Sequence, residues 1–251
     1  MADELSFGDF SPDQALSVWQ QRAQDPTPEY SWWDIWQQEH SDAFTVAKTA
    51  GADVLDDIAQ AVQNAIANGE TFDQFAQELE PILVDKGWWG RGPALDPATG
   101  LWSDAQLGSL NRLRIIYDTN LRMSYSAGQW ASFERNKSDL PYLMYTHTTS
   151  LHPRIEHLLW DGTCLPVDDP FWDTHYPPNG WGCKCGCIAL TASQFERMGN
   201  AGLITPKAPS IDWRQVLNPR TGVQIAVPEG IDAGFGYNVG KAFLAALAGG
   251  S

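Results

Sequence analysis

The chain has 251 residues, 43% of them hydrophobic and 19% charged, with 12 tryptophans. That composition excludes a disordered chain, and no apolar run approaches the roughly 20 residues needed to span a bilayer. Thirty-one acidic residues against 16 basic give a net charge of −15, which makes the chain a poor general binder of nucleic acid.

The N-terminus, MADELSFGDF, has neither the basic start nor the apolar core of a signal peptide, so the chain is expected in the cytoplasm that makes it. Ser11-Pro12-Asp13 reads as a helix start, with proline at the first helical position and an acid in the first turn. Tyr30, Trp32, Trp33, Ile35 and Trp36 crowd into seven positions and read as packing material, or as an interface anchor if exposed. Residues 41–67 read as a long amphipathic helix, with apolar positions from Phe44 to Ile66 spaced by three and four and a stop at Asn68-Gly69. Thr71 to Gln74 reads as a capping box that opens a second helix, and Pro81 is expected to kink or divide it. The two helices would form an antiparallel pair.

Residues 90–101, GRGPALDPATGL, read as an exposed loop where the charge balance changes. Residues 1–100 carry 18 acidic and 4 basic residues, while the remainder is nearly balanced. The asymmetry reads as a solvated acidic face or as a surface for a basic partner. Ser103 to Gln106 reads as another capping box, followed by a long helix to about Asn136 that carries Arg112, Arg114 and Arg122 as a small basic face for DNA or an acidic partner. PYLMYTHTTS and CKCGCIAL read as strands, with loop chemistry over 160–182 between them. A short helix follows from Ser193, then a turn at Asn218–Gly222 between two short strands, and a small helix or a tail at the end. The expected fold is α+β: an acidic helical region (1–100), a long central helix with a small, loop-rich β region around a His/Cys cluster (101–192), and an extended Pro/Gly-rich segment (193–251).

The chemistry concentrates in residues 147–187, which hold His147, His152, His157, His175 and all four cysteines: Cys164, Cys183, Cys185 and Cys187. In a reducing compartment such thiols favour a metal over disulfides, and thiolate with imidazole favours tetrahedral zinc. No CxxC pair is present. In CKCGC the cysteines alternate, and two sulfurs reach one zinc only if the chain bends, which Gly182 and Gly186 would permit. The competing reading is ordinary packing, with His147 and Cys187 structural and Cys164 a loop thiol. No nucleophile elbow, HExxH, Walker loop or GxGxxG appears, and Asp161, Asp168, Asp169 and Asp173 lack the EF-hand pattern.

Arg154-Ile155-Glu156-His157, then Asp161-Gly162, then DDPFWDTHYPPNGWGCKC strongly resemble the phage Mu protein F family of minor head proteins. IIYDTNLRMSYSAGQW, SWWDIWQQEHSDAFTVA, TFDQF…KGW and NPRTGVQIAVPEGIDAGFGYN extend the resemblance over about residues 11–240. It implies a minor structural protein of a tailed-phage head, made in the host cytoplasm and incorporated during procapsid assembly near the portal, with portal or major capsid protein as partners and no enzymatic activity. The alternative is a metal-dependent hydrolase or nuclease acting on phage DNA. The family's recurring donors map onto His157, Cys183 and Cys185. Trp181-Gly182 stands where many relatives have a histidine, so His175 is the substitute fourth ligand for a structural zinc.

Overall fold

A computed structural model describes residues 12–24, 26–27, 29–34, 44–49, 51–148 and 153–249. Ser11, Ile35, Trp36, residues 41–43 and His152, all named above, lie outside the described residues. The chain is α+β and divides into two compact units. The first holds Pro12–Tyr125 with Pro219–Thr221, and the second holds 126–218 and 222–249 of the described residues.

In the first unit, helix α1 (Pro12–Arg22) begins at the proline, as its sequence indicates. Its Trp19 meets Phe44 edge-on at 4.9 Å, and both side chains are fully buried. Phe44 therefore packs on α1 outside any helix, and helix α2 starts only at Ala52 (Ala52–Asn68). The buried face of α2, from Val54 through Leu55, Ile58, Val62 and Ala65 to Ile66, keeps helical spacing. Gly69 ends it in the left-handed conformation, φ 66°, returning its N–H to the Ala65 carbonyl.

Helix α3 (Phe72–Asp85) opens on the expected capping box: Gln74 N donates to Thr71 Oγ1, and Thr71 N to Gln74 Oε1 at 2.8 Å. Pro81 does not divide it. Pro81 and Gln77 are both exposed, so the carbonyl that loses its donor faces water. Lys86, just past α3, pairs with Asp53 at 3.3 Å and with Asp57, which sets the two helices antiparallel.

The expected loop at 90–101 is a hairpin instead. Strands β1 (Arg91–Asp96) and β2 (Leu101–Gln106) pair antiparallel from Arg91↔Gln106 to Asp96↔Leu101. Pro93 is tolerated because a two-stranded sheet has only edges, and Gly100, φ 69°, closes the turn. Ser103 to Gln106 is thus strand, not cap. Ser109 takes that part, accepting from Arg112 N at 3.3 Å, and helix α4 runs Leu110–Asn136.

Arg220 locks the hairpin turn. It pairs with both carboxylate oxygens of Asp96 and, at 2.5 Å, with Asp34, and its bonds hold the Asp96 carboxyl down at about 2.

The second unit begins within α4, at Ser126. Its sheet has the order β4-β3-β5, all antiparallel, with β3 (Tyr142–Thr146) central between β4 (Cys164–Pro166) and β5 (Gly186–Leu190). Short helices α5 (Ile155–Trp160) and α6 (Trp172–His175) precede and follow β4. Helix α7 (Ala192–Asn200) opens on a Thr191/Gln194 capping box. Strands β6 (Trp213–Leu217) and β7 (Gln224–Pro228) flank the turn expected at Asn218–Gly222. The end of the chain is helix α8 (Val239–Gly249), opened by Asn238 Oδ1 accepting from Gly240 N and Lys241 N. Trp130 of α4 is fully buried, edge-on to Tyr176 at 4.8 Å. No described helix is long and apolar enough to cross a membrane.

Candidate metal centre

The arginine of the RIEH motif places the site. Arg154 Nη2 donates to Asp232 Oδ2 at 2.6 Å and to the Trp181 carbonyl at 3.2 Å, while Trp181 N donates to the same carboxylate at 2.8 Å. Asp232 N in turn reaches the Asn179 carbonyl, and Asn179 Oδ1 accepts from Tyr145 O–H at 2.9 Å. The PPNGW segment is thereby pinned to β3, α5 and the loop after β7. Gly182, φ 66°, then turns the chain before the cysteines. Cys183 and Cys185 lie ahead of β5, so strand alternation does not govern them; the bend permitted by Gly182 does.

The result is a cluster of His157, Cys183 and Cys185 whose donor atoms all lie within 4.8 Å of one another. His157 is buried in α5, its ring stacked on Trp160 at 4.9 Å. Its Nε2 is 3.0 Å from the Gly230 carbonyl, which can only accept; Nε2 therefore carries the proton, and Nδ1 offers a lone pair to the sulfurs. Cys185 Sγ lies 3.5 Å and Cys183 Sγ 3.8 Å from that Nδ1. Gly230, φ 81°, permits this approach: a Cβ there would stand 2.5 Å from Glu156 Cβ and 3.0 Å from the Trp160 ring.

The two thiols are coupled. A hydrogen bond from the Cys185 S–H pulls the Cys183 thiol down, burial opposes it, and His157 adds to the lowering; Cys185 is pushed up first by that same bond. A soft cation bound there would hold both sulfurs as thiolates.

Tetrahedral zinc, with Zn–S near 2.3 Å and Zn–N near 2.0–2.1 Å, places sulfur and nitrogen about 3.6 Å apart. The 3.5 and 3.8 Å separations fit that spacing.

Other residues fall elsewhere. His175 stands apart from the cluster, stacked on Phe171 at 4.5 Å and edge-on to Trp160 at 4.7 Å, with Nδ1 hydrogen-bonded to Thr174 Oγ1. Burial lowers its pKa to about 4, with the neighbouring His157 adding to the shift. Cys164 belongs to β4 and packs with Leu190 and Ile204, and burial pushes its thiol up to about 12. Cys187 is buried in β5 and raised well above its ordinary value by burial.

His147, read as structural, lies beside the cluster: its Nδ1 is 3.5 Å from Cys185 Sγ. Thr146 pairs with Gly186, so one further step of the same register sets His147 opposite Cys185. No local motif announces that register.

Of the arginines read as a basic face on α4, Arg112 is drawn inward. Arg112 donates to the Gln106, Leu107 and Ala47 carbonyls and lies 4.9 Å over Trp88, where burial lowers its pKa to about 10. Arg114 lies 3.7 Å over the Phe72 ring. Arg112 thus serves packing within the first unit, whereas Arg114 stays exposed.

The family model of Phage Mu protein F like proteins matches residues 56–188, from α2 through the cysteines into β5, and the chain belongs to that family. It is 36% identical over 75% of its length to the "Putative capsid assembly protein F" of Escherichia phage Mu, covering 42% of that protein. It is 33% identical over 85% of its length to the Mu-like prophage FluMu F protein of Haemophilus influenzae, covering 53% of it. The chain thus spans about half the length of these curated relatives. No solved structure matches it significantly.

Proposed function

We propose that the chain is a structural, non-enzymatic component of a tailed-phage head, made in the host cytoplasm and incorporated during procapsid assembly beside the portal. Similarity over 75% of the chain to a phage Mu protein named for capsid assembly carries this reading. The acidic first hundred residues suit docking on a basic face of portal or major capsid protein. A contact with DNA or an acidic partner through the Arg112/Arg114/Arg122 face of α4 would rest on Arg114, which is exposed, and Arg122, since Arg112 is engaged in packing. The hydrolase or nuclease alternative gains no support from the family or from either relative.

Within this role, His157, Cys183 and Cys185 hold one structural zinc. The donor chemistry and the spacing support it, and the ion would tie α5 to the segment before β5 in a region otherwise rich in loops.

The test combines assembly with binding. Heads are produced from the cognate structural genes with and without this chain, and the purified chain is sedimented with portal and with major capsid protein at low and moderate salt. Loss of normal heads, together with co-sedimentation with the portal, is the expected result. Normal heads in its absence and no binding to either protein overturn the proposal.

A further inference from the structure

We infer that His147 is the fourth zinc ligand, closing a Cys2His2 centre from three separate stretches of chain: the end of β3, helix α5 and the turn before β5. The inference rests on the zinc reading above and adds to it the residue that completes the coordination.

Three observations converge on His147. Its Nδ1 lies 3.5 Å from Cys185 Sγ, the same separation that His157 Nδ1 keeps from that sulfur. Two imidazole nitrogens at that distance from one thiolate match the sulfur–nitrogen edge of a zinc tetrahedron, about 3.6 Å.

The backbone around it is also fixed. His147 N–H donates to Asp161 Oδ1 at 2.8 Å, and Thr148 Oγ1 donates to the Lys184 carbonyl at 2.8 Å, so the stretch that carries the imidazole is fastened to the end of α5 by one bond and to the CKC turn by the other.

Finally, a cavity of about 210 Å³ opens among His147, His157, Cys183 and Cys185, with room for an ion between them. His147 stands outside the group of His157, Cys183 and Cys185 and meets it through Cys185, so binding as the fourth ligand requires its ring to move inward. Zinc replaces the thiol protons of Cys183 and Cys185 and is held by two thiolates and two neutral imidazoles. His175 is held away by its stacking on Phe171 and its bond to Thr174.

The full chain is stripped of metal and titrated with zinc against a chromophoric chelator, and in parallel loaded with cobalt(II) for its visible spectrum. Wild type is compared with His147→Ala, His147→Cys and His175→Ala. The expected result is one zinc per wild-type chain. His147→Ala should weaken zinc by more than about 100-fold, beyond what loss of an outer-sphere partner produces. His147→Cys should recover the affinity and intensify the sulfur-to-cobalt charge-transfer band of a third thiolate. His175→Ala should keep the wild-type spectrum.

If His147→Ala matches wild type in affinity and cobalt spectrum, or if His175→Ala alone loses the metal, the inference is overturned while the zinc reading stands. If His147→Ala does not fold, His147→Cys decides, and absence of the extra charge-transfer intensity overturns the inference. Failure of wild type to take up zinc overturns both.

Discussion

His175 shows how one side chain links burial to acid stability. It is almost fully buried among Phe171, Trp160 and Thr174, and its pKa falls from 6.5 to about 4. In the unfolded chain the imidazole protonates below pH 6.5; in the folded chain it stays neutral until about pH 4. The unfolded state therefore binds more protons across that window, and stability falls as pH drops through it, by up to about 3 kcal/mol at pH 4. Urea unfolding between pH 4 and 7 should show this slope, and His175→Phe should flatten it.

At this scale the trio of His157, Cys183 and Cys185 was legible through the family resemblance that RIEH and GCKC carry, since spacing alone left metal and packing both open. Sequence reasoning read His147 as structural, because its relation to Cys185 depends on the β3/β5 register. It also misread Cys164, since Asp161-Gly162 resembles loop chemistry, whereas the thiol two residues on enters a strand.

Among the elements, the pairing of α8 with α4 has the least tolerance. A methyl group built on Gly240 would overlap Cβ and Cγ of the fully buried Trp130. Gly240→Ala should therefore force α8 away and cost about 1–3 kcal/mol despite the better helix propensity of alanine, seen as a lower melting temperature.

Elements with local signals were legible: the Thr71 and Thr191 regions, the Gly69 stop and the end of α4 at Asn136. The start of α2 was not. Phe44 continues its apolar spacing by chance of sequence, yet it packs against Trp19 outside any helix. The β1–β2 hairpin was hidden because Gly92, Pro93 and Pro97 look like breakers, and only an edge strand in a two-stranded sheet accommodates such residues.

For the molecule as a whole, zinc is the expected stabiliser of the second unit. Zinc at a thousandfold excess over its dissociation constant contributes about 4 kcal/mol. At about 2–4 °C per kcal/mol for a chain of this size, chelation should lower the melting temperature by about 10 °C. Differential scanning calorimetry with and without a chelator checks this, and Cys183→Ser with Cys185→Ser should remove the difference.

The α+β character and the helical first part followed from composition and periodicity, whereas the division of the chain within α4 did not. A continuous helix carries no sequence mark where its neighbours change. The same holds in reverse at Gly230. The stretch matched by the family model ends at residue 188 and contains every proposed donor, yet the carbonyl that sets the His157 tautomer and the carboxylate that anchors Arg154 come from Gly230 and Asp232. A fragment cut at the family boundary would keep the ligands and lose their orientation. What the family pattern delimits is a signature, and the site draws on chain beyond it, past α7 and the β6–β7 hairpin to the loop at Gly230 and Asp232.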